Sequence, residues 1–208
     1  MGRKKLSKFA ELTTLSHVLA HVLEKPIGRA GTWPQPLILE LGCGYGEYTL
    51  ALAQRHPDNT YVGMDIQGER LWRGVKAMQA LKLENVWWLR GYIDHLLDYF
   101  APGEVAEIWL TFPDPFAREG HAKKRLTSPK FLDYYKTILQ PGGQAHLKTD
   151  SVNLMAYSLE AIVASGGMID EHIQHAPIDI MTRFEQKHRQ RGDQIQQLSW
   201  HWPAIKPL

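Results

Sequence analysis

Short apolar segments alternate with longer amphipathic segments along most of this chain, from residue 37 onward. The apolar segments predict strands at 37–41, 60–65, 85–90, 105–112 and 143–149. Apolar positions at helical spacing predict helices at 47–56, 68–81, 93–100, 129–139 and 151–164. Near-continuous apolar strands that alternate with helices indicate a parallel, doubly wound sheet with helices on both faces.

The two ends of the chain depart from this alternation. Residues 9–24 are compatible with a helix, and a linker follows at Pro26, Gly28, Gly31, Pro34 and Pro36. After residue 167 the pattern predicts a strand at 168–174, a polar stretch at 176–194 and a last strand at 195–201. We therefore expect an α/β fold with a mostly parallel, seven-stranded sheet and an antiparallel edge hairpin. The domain spans residues 36–208, after a basic N-terminal segment at 1–35.

Composition limits the class of protein. A single cysteine among 208 residues excludes a disulfide framework and a cysteine-rich zinc site. No apolar stretch approaches the roughly 20 residues of a membrane span, and the N-terminus lacks the apolar core of a signal peptide. No histidine or cysteine spacing indicates a metal site. We expect a cytoplasmic protein without a metal.

The positive charge is concentrated locally, because the net charge is only +2. A polyanion would therefore be bound by clusters rather than by the overall field. Each cluster alone is also compatible with a solvated surface. The clusters are Arg3, Lys4, Lys5 and Lys8; Arg118, Lys123, Lys124 and Arg125; and Arg183, Lys187, Arg189 and Arg191.

A glycine loop follows the first predicted strand, in the sequence Leu-Glu-Leu-Gly-Cys-Gly-Tyr-Gly at 39–46. Gly42, Gly44 and Gly46 allow a tight turn and a close approach of backbone to ligand. The next strand ends in Asp65, where a carboxylate can accept hydrogen bonds from ribose hydroxyls. Glu47 stands where a dinucleotide site would have its third glycine, and its charge disfavours a pyrophosphate. This pattern favours S-adenosylmethionine, although a solvated Glu40 and a turn-forming Asp65 would also explain it.

A second group of candidate residues follows the fourth predicted strand, at 111–126. Pro113 and Pro115 stiffen the backbone around Asp114, and a basic run follows. A carboxylate that orients a base, beside cations that contact phosphates, suits a nucleic-acid methyltransferase. A simple tight turn is the alternative. We expect the residues that leave the parallel strands to face one crevice. They are 40–46, Asp65, 91–93, 112–116 and 148–150.

These motifs resemble the bacterial tRNA (guanine-N7-)-methyltransferase family over roughly residues 36–200. The shared motifs are Phe112-Pro113-Asp114-Pro115, Lys123-Lys124-Arg125-Leu126, Pro129, Phe131-Leu132, Lys148-Thr149-Asp150 and Thr182-Arg183-Phe184-Glu185. The resemblance implies a class I methyltransferase fold, S-adenosylmethionine as methyl donor, and a guanine in the variable loop of tRNA as target. Guanine N7 has a lone pair and no proton, so the reaction needs positioning more than acid–base catalysis.

The candidate site residues combine the two motifs with the resemblance. The cofactor set is Glu40, Gly42, Gly44, Gly46, Asp65, Tyr92, Ile93 and Asp114. The catalytic set is Asp114 and Asp150. The substrate set is Arg118, Lys123, Lys124, Arg125, Asp150, Thr182, Arg183, Phe184 and Glu185.

Two positions depart from the family pattern, since Tyr92 replaces an acid and Arg118 replaces a lysine. Tyr92 affects how the adenine of the cofactor is held. Arg118 keeps the positive charge but replaces a compact ammonium group with a planar guanidinium group. Two other functions fit part of the pattern. They are methylation of a small molecule or protein, and RNA binding without catalysis.

Overall fold

The structure is a computed structural model, which describes Lys8 and residues 10–12, 14–15, 17–20 and 33–203. The chain divides into two compact units, Met1–Ala101 and Pro102–Leu208. The described residues contain eight strands, four in each unit. Part of the basic N-terminal cluster and of the predicted linker lies outside the described residues, namely Arg3, Lys4, Lys5, Pro26, Gly28 and Gly31.

The first unit is built on parallel strands. They are β1 (Val18–Ala20), β2 (Leu37–Leu41), β3 (Thr60–Asp65) and β4 (Val86–Arg90), in the spatial order β1-β4-β3-β2. The helices are α1 (Glu47–Arg55), α2 (Gly68–Leu81) and the short α3 (Leu96–Tyr99), which follows a 3-10 turn at Ile93–His95. The prediction of strands joined by helices is confirmed here.

Strand β1 corrects one prediction, because the sequence pattern placed residues 9–24 in a helix. Residues 10–12 are helical, but Val18–Ala20 pair with Trp88–Arg90 of β4. The amide N of Trp88 also donates a hydrogen bond to the carbonyl of His17 at 2.8 Å. Backbone pairing with β4 therefore determines the conformation here, and it gives one strand more than the seven expected.

The second unit combines parallel and antiparallel pairing. Its strands are β5 (Val105–Thr111), β6 (Leu139–Thr149), β7 (Met168–Ile173) and β8 (Gln196–His201), in the order β5-β6-β8-β7. β5 and β6 are parallel, whereas β8 runs antiparallel to both β6 and β7. The predicted antiparallel edge hairpin is thus confirmed. β6 starts at Leu139, earlier than predicted, and includes a bend at Gly142, whose φ is +80°.

Three helices accompany these strands: α4 (Pro129–Ile138), α5 (Val152–Ala164) and α6 (Arg183–Gln190). Helix α6 lies in the stretch that the sequence predicted only as polar. Glu185 is its single buried residue, so no apolar stripe marks it. Among the described residues, every helix is too short or too polar to cross a membrane.

The side chain of Trp88 fills the space beneath the glycine loop. Trp88 lies in β4 and is fully buried, and its indole N–H donates to Sδ of Met78 at 3.3 Å. Gly46, Gly63 and Gly74 surround the ring, and an added Cβ on Gly46 would lie 2.1 Å from its Cη2 atom. The loop keeps its position only if these residues remain small.

We expect Gly46→Ala to lower the free energy of unfolding by about 3 kcal/mol or more, since left-handed strain costs about 1–2 kcal/mol and overpacking about 1–3 kcal/mol. Gly44→Ala is the matched control, because Gly44 has a similar φ of +58° but no atom within 4 Å of a Cβ. That variant incurs only the strain cost. Urea unfolding measures both, and equal losses would contradict the role of Trp88.

Candidate active site

The glycine loop in the first unit is tied to the end of β3. The amides of Gly42 and Cys43 both donate to the carbonyl of Met64, at 2.8 and 3.0 Å. Gly42 and Gly44 have φ values of +73° and +58°, and no atom lies within 4 Å of an added Cβ at either position. The loop therefore has an open side along which a ligand can approach the backbone.

Asp65 connects this loop to the start of helix α2. Its carboxylate is buried, with Oδ2 accepting from the amide of Gly44 at 2.9 Å and Oδ1 accepting from the amide of Gln67 at 2.6 Å. A carboxylate offers about four lone-pair sites, so two backbone bonds do not exhaust its capacity. Asp65 can hold the loop and still accept from ribose hydroxyls.

Glu40 anchors helix α1. It lies in β2 with 3% of its side chain exposed, and its Oε2 accepts from both the backbone amide and the hydroxyl of Thr49. A carboxylate is favourable at this first turn because unpaired amides and the helix dipole point towards it. Burial and the adjacent acids Glu40 and Asp65 raise the pKa of Cys43 well above its usual value. Cys43 is therefore a neutral packing residue.

Tyr92 and Ile93 follow β4 in the same unit. Tyr92 is 43% exposed and directly precedes the 3-10 turn at Ile93–His95. An exposed ring at this place offers a stacking surface for a base. Open glycines, two buried acids and an exposed aromatic ring together fit a nucleoside ligand.

The Phe112–Phe116 loop of the second unit presents Asp114 to solvent. Phe112 and Phe116 have positive φ values, +49° and +39°. Oδ1 of Asp114 accepts from the amide of Phe116 at 2.9 Å, and the amide of Phe112 donates to the carbonyl of Lys148 at 2.7 Å. These bonds hold a strained backbone and leave the Asp114 side chain exposed.

Arg125 braces this loop from within the second unit. Its guanidinium donates to the carbonyls of Pro115 and Phe116, both at 3.1 Å, and lies 4.4 Å from the ring centre of Tyr157. The sequence predicted Arg125 as a phosphate contact together with Lys123 and Lys124. Lys123 and Lys124 are exposed on a 3-10 helix, and Arg118, which precedes this helix, is exposed too. Arg125 differs because its guanidinium is hydrogen-bonded to the Phe112–Phe116 loop.

Glu185 lies at the centre of a buried ion cluster. Its Oε2 is 2.8 Å from Nζ of Lys148 on β6, and its side chain has no exposed surface. Its Oε1 accepts from Nε of Arg189 at 2.8 Å, and Arg189 also donates to the carbonyl of Ala176 at 2.7 Å. The sequence predicted that Glu185 contacts the substrate. Its placement instead supports a structural role, in which it attaches α6 to β6.

Helix α6 starts with a capping interaction that a sequence motif marks, although no helical pattern of apolar residues does. The hydroxyl of Thr182 accepts from the amide of Glu185 at 3.1 Å. Thr-x-x-Glu is a helix-start signature, so it could have identified this helix. Arg183 and Phe184 are then presented on the first turn, and Phe184 is 48% exposed.

Asp150 and Phe184 both contact His188, a residue that no sequence motif indicated. Nδ1 of His188 lies 3.1 Å from Oδ2 of Asp150 and 2.8 Å from Oδ2 of Asp193. The His188 ring stacks on Phe184 with 4.4 Å between centres, and Phe184 lies 5.2 Å from Phe112. A recognised helix would have shown that Phe184 and His188, four residues apart, share one face.

Two further histidines, His121 and His146, have different surroundings. His121 is exposed, and its ring meets Phe116 edge-on at 6.4 Å. His146 stacks on Trp109 with 4.0 Å between ring centres, and burial lowers its pKa to about 4. His146 is therefore a neutral packing residue.

The chain is similar to known methyltransferases in sequence and in fold. The family model described as a putative methyltransferase matches residues 34–198. A tRNA (guanine-N(7)-)-methyltransferase of Bacteroides thetaiotaomicron is 37% identical, covering 98% of this chain and 87% of the relative. One of the same name from Christiangramia forsetii is 36% identical, covering 94% and 96%.

Solved structures support the fold alone, because their sequence identities are low. The 16S rRNA methyltransferase KamB aligns with a TM-score of 0.63 at 17% identity, covering 82% of this chain and 88% of that one. An S-adenosylmethionine-dependent methyltransferase from Aquifex aeolicus has a TM-score of 0.59 at 14% identity, covering 79% and 80%. The predicted class I methyltransferase fold is confirmed.

Glu185→Gln should lower the free energy of unfolding by about 3–5 kcal/mol, because it leaves the buried Lys148 ammonium without a matching charge. Adding Lys148→Met should restore a large part of this loss. Glu171→Gln is the control at an exposed position of β7 and should change stability by less than about 0.5 kcal/mol. Urea unfolding measures all three, and a loss from Glu185→Gln no larger than the control's would rule out a stabilising ion cluster.

Proposed function

The chain belongs to the tRNA (guanine-N7-)-methyltransferase family, and we propose that its target is a guanine in the variable loop, recognised by Asp150 and Phe184. The enzyme transfers a methyl group from S-adenosylmethionine to N7 of a guanine in tRNA. One observation supports the assignment of the base site most directly. It is the pairing of a partly exposed carboxylate, Asp150, with a half-exposed aromatic ring, Phe184, on either side of His188.

The first unit provides the residues that would hold the cofactor. S-adenosylmethionine supplies an electrophilic methyl group on a sulfonium. Asp65 would accept from the ribose hydroxyls, while Glu40 holds the first turn of helix α1. The exposed ring of Tyr92 would stack on adenine in place of the acid usual at this position, and the backbone of Ile93 would provide polar contacts. Asp114, in the second unit, is the remaining candidate acid.

The second unit provides the residues that would orient the guanine. A carboxylate can accept from guanine N1–H and the 2-amino group at once, and we assign this role to the partly exposed Asp150. Negative charge there also offsets the positive charge that N7 methylation creates. Phe184 supplies a stacking surface, which is how proteins hold bases taken from single-stranded loops. No group has to remove a proton, since N7 carries none.

Exposed cations in the second unit would contact the tRNA backbone. Lys123 and Lys124 are exposed on the 3-10 helix, Arg118 precedes it, and Arg183 is exposed at the start of α6. Their role is positioning, because phosphate contacts carry no sequence information.

We expect the double variant Lys123→Ala/Lys124→Ala to weaken tRNA binding and to reduce the salt dependence of log K by up to about one unit for each lost phosphate contact. Arg125→Ala should instead lower activity while leaving the salt slope unchanged, because Arg125 braces the Phe112–Phe116 loop. Filter binding across a series of salt concentrations separates the two effects. A reduced slope for Arg125→Ala would show that this arginine contacts phosphate.

Transfer of a labelled methyl group to tRNAs with a substituted target base tests the proposed function. Inosine keeps N1–H and N7 but lacks the 2-amino group, so it should be methylated more slowly than guanine. Adenine lacks the N1–H donor and leaves the carboxylate unpaired, at a cost of roughly 1–3 kcal/mol, so it should be rejected more strongly. Asp150→Asn should slow the methylation of guanine and reduce the difference between the methylation rates of inosine and adenine.

The control for this experiment is cofactor affinity, measured by calorimetry with S-adenosylhomocysteine. Asp150→Asn should leave that affinity unchanged, whereas Asp65→Ala should weaken it. If none of the tRNAs became labelled, the proposed activity would be overturned. Equal labelling of guanine, inosine and adenine would refute base recognition by Asp150.

A further inference from the structure

We propose that His188 is a positioning residue, which fixes the carboxylate of Asp150 and the ring of Phe184 relative to each other through a proton on its Nδ1 atom. This inference rests on the proposed function, in which those two side chains hold the guanine. Asp150 follows β6 and Phe184 belongs to α6, so a side chain that contacts both can fix these two side chains relative to each other, beyond the attachment of α6 to β6 by Glu185. Among the described residues, His188 contacts both, Asp150 through its Nδ1 atom and Phe184 through the face of its ring.

The position of Nδ1 between two carboxylates indicates that it carries a proton. Oδ2 of Asp150 lies at 3.1 Å and Oδ2 of Asp193 at 2.8 Å. An ionised carboxylate only accepts hydrogen bonds, so an unprotonated Nδ1 would face two acceptors and be repelled by both. A proton on Nδ1, shared between the two oxygens, turns both contacts into attractive ones.

Asp193 anchors His188 at the end of its own helix. The backbone amide of Asp193 donates to the carbonyl of His188 at 3.1 Å, and Gly192 between α6 and Asp193 has a φ of +83°. This turn brings the Asp193 side chain back onto the imidazole. Asp193 therefore contacts Nδ1 from the end of the same helix, and Asp150 contacts the same atom from the end of β6.

The imidazole ring also fixes Phe184. The two rings are nearly parallel, with 24° between their planes and 4.4 Å between their centres, and Phe112 lies 6.5 Å from His188 at 22°. His188 is 14% exposed at its side chain, whereas Phe184 is 48% exposed. The less exposed ring of His188 therefore supports the ring of Phe184, which keeps surface for a base.

Asp150, Asp193 and His188 also place one ligand atom each within 4.8 Å of one another, a spacing that a metal ion could use. A metal would occupy the Nδ1 lone pair, and the proposed proton occupies the same position. The two arrangements are mutually exclusive, so one measurement on this nitrogen decides between them.

Nitrogen-15 NMR of the tRNA-free enzyme tests the proton directly. The His188 signals are assigned by their absence in His188→Asn, and we expect a protonated Nδ1, as the neutral Nδ1–H tautomer or the cation. A neutral ring protonated only at Nε2 would overturn the proposal. A coordination shift of the Nδ1 signal on addition of diamagnetic Zn²⁺ would also overturn it, because Nδ1 would then be a ligand. Neither result depends on methyl transfer.

Two variants separate the hydrogen bond from the ring. His188→Asn keeps a donor near the Nδ1 position but loses the stacking, whereas His188→Phe keeps a ring but loses the donor. A hydrogen bond to a charged group is worth about 1.5–3 kcal/mol, so His188→Phe should lower kcat/KM for guanine by roughly 10-fold or more. His188→Asn should recover a large part of that loss. The kcat/KM of Asp193→Asn should lie between those of the wild type and His188→Phe.

The controls are His175→Asn and His175→Phe, at an exposed histidine of the same unit, which should match the wild type. Affinity for S-adenosylhomocysteine should remain unchanged in all variants. Equal activity of His188→Phe and the wild type would overturn the proposal, as would an equal loss in His188→Asn and His188→Phe. Failure of the wild type to methylate tRNA would instead refute the proposed function and leave the NMR test decisive for His188.

Discussion

Burial of a carboxylate costs several kcal/mol unless hydrogen-bond donors or cations surround it, and this requirement shapes both units of the chain. Glu40, Asp65 and Glu185 are almost completely buried. Each satisfies the requirement by reaching a different segment: Glu40 reaches the first turn of α1, Asp65 the glycine loop, and Glu185 a strand and its own helix. The acids that are most expensive to bury thus connect the loops to the strands and helices.

The exposed polar and aromatic groups depend on these buried ones. Asp114 is held out by a loop that Arg125 braces, and Phe184 stands on a helix that Glu185 attaches to β6. Such support matters because binding groups must be held closely in place, and loops alone do so poorly. Sequence motifs of this type therefore combine residues that contact a ligand with residues that only hold those contacts in place.

Much of the fold could be predicted because its signals are local. The predicted bounds of β3 and α2 agree with the structure, and the glycine loop with Asp65 follows a short spacing rule. β1 was missed because its conformation depends on pairing with β4, which no local pattern records. α6 was missed because its buried position is a charged residue. The roles of Glu185 and Arg125 could not be predicted, since they depend on Lys148 and on the carbonyls of Pro115 and Phe116, which are distant in sequence.

The buried thiol of Cys43 has a consequence for how the glycine loop can be observed. It is the chain's single cysteine, it is buried and neutral, and its Sγ lies 3.1 Å from the position of an added Cβ on Gly63. Thiol reagents attack the thiolate, so the folded loop protects Cys43 both by steric exclusion and by its protonation state. Modification then requires transient opening of the loop. The rate at which a thiol reagent modifies Cys43 therefore reports how often the loop opens, and no further cysteine has to be introduced.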